Sequence, residues 1–118
     1  MAKIGNATFE GQSGKKYKST VFSLKSTFKE GIAGIYFVTR RFEQEDGSHA
    51  HEWLYVGTSP DLREKLKAHP MAFGFNKYNA NAICVIREDD ADQRKVVHED
   101  LRQSYLPLLN ETGWGQLL

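Results

Sequence analysis

Phenols, imidazoles, an ammonium and a carboxamide recur along this chain at intervals that would let them share one site. Tyr36 closes the tripeptide Gly34-Ile35-Tyr36, and nineteen residues later Tyr55 opens Tyr55-Val56-Gly57. Lys65 stands ten residues after Tyr55 and His69 follows it; His98 precedes Pro107 by nine residues and Asn110 by twelve. A tyrosine or histidine can help deprotonate water, and a cation can offset charge growing on an oxyanion. Each residue also has a plain structural use. Tyrosine suits half-buried strands, and a histidine before Pro70 suits a helix C-terminus. His98 can be a satisfied helix histidine, and Asn110 can close a turn.

The elements that must position these residues are legible as changes of period. Residues 7–10 and 16–24 partly alternate apolar and polar types around Gly11 to Gly14, which predicts an N-terminal hairpin. Residues 35–42 are rich in β-branched and aromatic types, Asp46-Gly47 marks a turn, and residues 49–56 return as an antiparallel partner. On that return His49, His51, Trp53 and Tyr55 alternate, so all four are expected on one face. His51 would lie about 13 Å from Tyr55, so contact with a partner suits the two histidines better than a metal site joined to the tyrosines.

Ser59-Pro60 predicts the N-cap and first position of a helix striped by Leu62 and Leu66 and ended by Pro70. A loop with Phe73, Phe75 and Tyr78 follows, whose aromatics either stack on bases beside Asn76 and Lys77 or seal the core. Residues 82–86 read as a central strand beside the hairpin. Asp90 or Asp92 caps a last helix that runs to about Tyr105, with Val97, Leu101 and Tyr105 on one stripe, and Pro107 stops it. The order predicts an α+β fold: a small central antiparallel or mixed sheet flanked by helices, which are expected on one side. Residues 1–118 form one domain, with 1–30 a hairpin extension and 31–113 the core.

The two tripeptides, followed in order by Asp61-Leu62, Leu66, His69, Pro107 and Asn110, resemble the GIY-YIG nuclease superfamily over roughly two thirds of the chain. The resemblance implies a phosphodiesterase site. In it the two tyrosines shape the centre, a helical arginine contacts phosphate, a helical glutamate holds a divalent metal, and an asparagine completes the set. Tyr36, Tyr55, Gly57, His69 and Asn110 match by spacing, whereas Lys65 and His98 occupy the arginine and glutamate positions.

Lysine keeps the charge but not the planar fork, and Arg63, about 200° away around a helix, faces elsewhere. A slip from His98 to Glu99 is opposed by geometry. His98 shares a side with Leu101 and Tyr105, while Glu99 lies with Lys95 and Arg102. A neutral imidazole is a poor substitute for a carboxylate under Mg²⁺. The resemblance thus implies Tyr36, Tyr55, Lys65, His69, His98 and Asn110 as catalytic candidates, His98 as the metal candidate, and Mg²⁺, Mn²⁺ or no metal as cofactor. The leading reading is a nuclease-like domain with a degenerate site that binds nucleic acid or a protein partner with weak or no hydrolysis. An active endonuclease using Lys65 and His98, and a protein-interaction module with no nucleic-acid role, are the rival readings.

Hydrophobic residues at 40% and charged residues at 26% of 118 are ordinary for one globular domain. Apolar runs are too short to cross a bilayer, Met1-Ala2-Lys3 does not open a signal peptide, and lone Cys84 reads as a core residue. A cytoplasmic protein without a membrane partner is expected. Net charge +1 is unevenly spread: residues 1–42 hold a surplus of six positive charges and residues 43–118 a surplus of five negative ones. Lys15, Lys16 and Lys18, with Lys25 and Lys29 nearby, suggest a basic face, and Lys15, Lys16, Lys18, Arg40, Arg41 and Lys65 are the candidate nucleic-acid contacts. A solvated lysine surface that guards a sheet edge explains the first group equally well.

Overall fold

The computed structural model describes residues 3–111, in which the N-terminal alternation becomes strands β1 (Lys3–Glu10) and β2 (Lys16–Ser23). The expected start at Met1 and the core boundary at residue 113 lie outside the described residues. The aromatic and β-branched runs form β3 (Gly34–Glu43) and β4 (His49–Ser59), turning through Gly47 at φ 86°, a conformation that glycine adopts most readily. The apolar run becomes β5 (Ala82–Arg87). Sheet order is β1-β2-β5-β3-β4, with every neighbouring pair antiparallel. β5 therefore joins the N-terminal hairpin to β3, and the hairpin is continuous with the sheet.

Alternation along β3 divides the core. Ile35 and Phe37 turn to one face, where they meet Phe9, Val21, Cys84 and, from α3 (Ala91–Tyr105), Val97 and Leu101. Tyr36 and Val38 turn to the other, with Leu54 and Ile83. That second face is covered by Leu62 of α1 (Leu62–Lys67), Phe75 of α2 (Ala72–Lys77) and Leu109 of α4 (Leu108–Glu111). Helices thus lie on both sides of the sheet, correcting the one-sided expectation. The reason is that β3 and β5 are apolar on both faces, and each face must be removed from water. Burial also pushes the Cys84 thiol up to about 12, as befits a core residue.

Three local expectations are also corrected. Ser59 does not cap a helix, because it still pairs with Gly34 at the end of β4. Asp61 caps α1 instead, its side chain accepting from the Arg63 and Glu64 amides, while the Ser59 hydroxyl bonds the Asp61 backbone. α1 stops at Lys67, before Pro70 can end it. The expected loop through Phe73 and Phe75 is helix α2, anchored by buried Phe75, while Phe73 stays 72% exposed. Asp90 caps α3, and its chain leaves through Leu106 at φ 44° ahead of Pro107. Among the described residues no helix is long and apolar enough to cross a membrane.

Asp100 of α3 fastens the β1–β2 turn. It accepts from the Ser13 amide at 2.8 Å, the Ser13 hydroxyl at 2.7 Å and the Tyr17 hydroxyl at 2.8 Å. A Cβ on Gly11 would fall 2.0 Å from its carboxylate, so a side chain there would push the carboxylate from this position. Burial raises the Asp100 pKa, but the bonds from Ser13 and Tyr17 outweigh it and hold the carboxyl below its usual value. A depressed folded-state value gives stability that is present above the unfolded value and lost as pH falls through the folded one. Asp100→Ala is expected to lower the unfolding free energy in urea by about 1–2 kcal/mol at pH 7. Its difference from the native chain should narrow below about pH 4. An unchanged urea midpoint would show that the turn docks without this carboxylate.

Candidate functional site

One irregularity in β4 aims the second tyrosine. From Gly34 opposite Ser59 to Val38 opposite Tyr55 the pairing with β3 is unbroken; Thr39 then meets Trp53, leaving Leu54 as the extra residue of a bulge. Leu54 and Tyr55 consequently both pack on the Tyr36 face, while Trp53 packs on the opposite one. This corrects the expectation that His49, His51, Trp53 and Tyr55 share a face. His51 is spent in packing: its Nδ1 lies 2.8 Å from the Thr39 hydroxyl and its ring stacks on Trp53 with centroids 5.3 Å apart.

The two motif glycines clear space for different neighbours. Gly57 lies opposite Tyr36, where a Cβ would stand 2.6 Å from the Tyr36 hydroxyl and 2.9 Å from Tyr55 Cε2. At Gly34 a Cβ would stand 2.4 Å from the Ile86 carbonyl of β5. The first glycine lets β5 close on β3, and the last lets the tyrosine ring cross its partner strand.

Tyr36 is fully buried, with its hydroxyl 2.5 Å from His69 Nε2. The Met71 amide donates to His69 Nδ1 at 3.0 Å. That nitrogen must then carry a lone pair, so the neutral ring holds its proton on Nε2 and donates it to the Tyr36 oxygen. Burial, then the charge of Lys65, lowers the His69 pKa to about 4. Burial, then Tyr55, raises that of Tyr36, and burial raises that of Tyr55. The His69 ring is centred 5.2 Å from Tyr55 and 4.8 Å from Phe75. At neutral pH the cluster therefore holds neutral donors beside one ammonium.

His98 and Asn110 approach the neighbouring residue of β4 from the sheet edge. The Asn110 side chain accepts from the Val56 amide at 2.8 Å and donates to the Val56 carbonyl at 3.0 Å. His98 Nε2 lies 3.2 Å from the same carbonyl. Tyr36, Tyr55, Lys65 and His69 thus gather on one face, whereas His98 and Asn110 close the open edge beside them. Glu99 is exposed and bonded to Arg102 and Gln103, so His98 is the inward residue, as helix geometry predicts. The donors present do not suit Mg²⁺ or Mn²⁺, which favour hard oxygen ligands. Asn110 Oδ1 is bonded to an amide, His98 supplies an imidazole, and no group of three His, Cys, Asp or Glu side chains assembles among the described residues.

The expected nucleic-acid contacts scatter. Lys65 neighbours His69, and Lys18 lines a hollow on the Tyr36 face with Phe28 and Arg87. Lys16 is exposed on β2. Lys15 lies over Tyr17 in a hollow shared with Asp100 of α3. Arg40 pairs with Glu52 at 3.1 Å and covers Phe42, and Arg41 reaches the Ile4 carbonyl at 3.5 Å. Sequence reasoning missed Arg63 and Lys67, which line a hollow with Lys25; their spacing of four on α1 was the one available signal. Comparison with protein-family models, curated proteins and solved structures finds no match.

Asn110→Ala exposes the β4 edge at Val56 and should cost about 1–3 kcal/mol in urea unfolding. An unaltered midpoint would leave Asn110 free for another role. His69, depressed below its unfolded value, contributes stability that is full above about pH 6.5 and lost as pH falls through about 4. Its ring resonances should titrate near 4, and Lys65→Met should raise that midpoint; a midpoint near 6.5 in the native chain would contradict the buried neutral ring.

Proposed function

We propose that this chain is a degenerate GIY-YIG-type domain that holds a phosphate of nucleic acid beside Tyr55 and Lys65, over the buried Tyr36, and hydrolyses it slowly or not at all. One observation carries the reading: the Met71 amide bonds His69 Nδ1 while Nε2 of the same ring lies against the Tyr36 hydroxyl. Neither group is then disposed to take a proton from water. A buried phenol with a raised pKa keeps its own, and the imidazole lone pair is engaged. Hydrogen-bond donors and an ammonium remain, which suit holding an anion.

The sheet edge supports the same reading. His98 and Asn110 are bonded to Val56 at the positions where the resemblance implies a glutamate and an asparagine of the catalytic set. Losing a metal at a phosphoryl group removes on the order of several kcal/mol of transition-state stabilisation. Lys65 can still meet a phosphate as a point charge, without the two-point grip of arginine.

The test incubates DNA and RNA with Mg²⁺ and with Mn²⁺, comparing the native chain with the Lys65→Arg, His98→Glu double variant. The native chain is expected to retain oligonucleotide without cleaving it, with affinity falling as salt rises. The double variant should cleave slowly. Cleavage by the native chain would establish the endonuclease reading. Absence of retention at low salt would favour a protein-interaction module.

A further inference from the structure

A second hollow opens on the Tyr36 face, between the segment joining β2 to β3 and helix α1. It encloses about 410 Å³ and is lined by Lys25, Ser26, Thr27, Arg63 and Lys67, with Leu66 forming part of its wall. Leu66 also lines the cavity of about 270 Å³ that reaches His69, so the hollow adjoins the tyrosine cluster.

Three cations from two segments converge there, and none is firmly engaged. Lys25 has no carboxylate partner among the described residues. Lys67 meets Glu64 at 3.2 Å, with both side chains more than half exposed. Arg63 Nη1 reaches Glu30 at 3.5 Å, and that glutamate is 75% exposed. Ion pairs this open contribute little, so an arriving anion can displace them. Arg63 Nε is buried and has no hydrogen-bond partner. A buried guanidinium N–H ordinarily finds an acceptor, and a tetrahedral oxyanion supplies several.

We propose that this hollow is an oxyanion site for a phosphate group. Arg63 turns from Glu30 and meets the phosphate with its Nε–H and one Nη–H, a two-point grip that no lysine can make. Lys25 and Lys67 add charge, and the Ser26 and Thr27 hydroxyls donate. Glu30 is an internal competitor, holding the fork until a phosphate displaces it. Free phosphate, a small phosphoester and a nucleic-acid backbone share this chemistry, so the site does not depend on the nucleic-acid reading.

The test follows ¹H–¹⁵N spectra of the whole chain, including the arginine Nε–Hε resonances. The probes are inorganic phosphate and a single-stranded DNA oligonucleotide without terminal phosphates; chloride and acetate at matched ionic strength are controls. Phosphate should move the Arg63 Nε–Hε resonance and the Ser26 and Thr27 amides to saturation, and the controls should not. Arg63→Gln should weaken phosphate binding about tenfold, as loss of a charge-assisted pair implies. Glu30→Gln should strengthen it about threefold. Lys95→Gln, exposed on α3 across the sheet, should change nothing, and Lys25→Gln replaces Arg63→Gln if melting shows that variant unfolded. Equal shifts with acetate, or unchanged affinity in both the Glu30 variant and the folded cation variant, would overturn the site. Oligonucleotide that moves the same resonances and is displaced by phosphate assigns the site to a strand backbone. Phosphate binding without oligonucleotide binding keeps the site and removes the nucleic-acid reading. Oligonucleotide binding that leaves these resonances still removes the site and keeps that reading.

Discussion

Tyr36 crosses β4 at Gly57, in space that a single Cβ would fill, and the arrangement of this face follows from that contact. Glycine opposite it leaves the room that the phenol end of the ring occupies. Its hydroxyl is thereby carried to His69, beyond the end of α1. His69 is in turn held by the Met71 amide, so both its position and its tautomer are set by the short connection from α1 to α2. Tyr55 completes the group because the bulge at Leu54 turns it to the same face.

Low dielectric then decides what the cluster can do. Burial disfavours charge on every member, raising the tyrosines and lowering His69, and Lys65 adds to the effect on the histidine. Such a set donates hydrogen bonds well and accepts protons badly. A residue type consistent with a catalytic base is therefore placed where basicity is suppressed. Chemistry is set by the surroundings as much as by the side chain.

Carboxamides in this fold do the work of strands. Asn110 makes a two-point bond with the Val56 backbone, and Asn81 makes another with Arg41, accepting at 2.7 Å and donating at 2.9 Å. Both satisfy backbone groups where the ladder has no further partner. Asn110 thereby closes the β4 edge at Val56. His98 joins it at the Val56 carbonyl, which accounts for the inward turn of its imidazole on α3.

The strands, the turn at Gly47, the course of α3 and the inward turn of His98 are legible in the chain, because each is written in periodicity or local turn chemistry within a few residues. The sequence also pointed to Tyr36, Tyr55 and His69 as residues to watch. The bulge is not legible there, since one extra residue in β4 becomes visible only against its partner β3. Pairing of Ser59 with Gly34 likewise overrode its capping preference and passed that task to Asp61. Coverage of both faces, the neutral tautomer of His69 and the use of Asn110 depend on contacts between residues far apart in the chain, which local pattern does not encode.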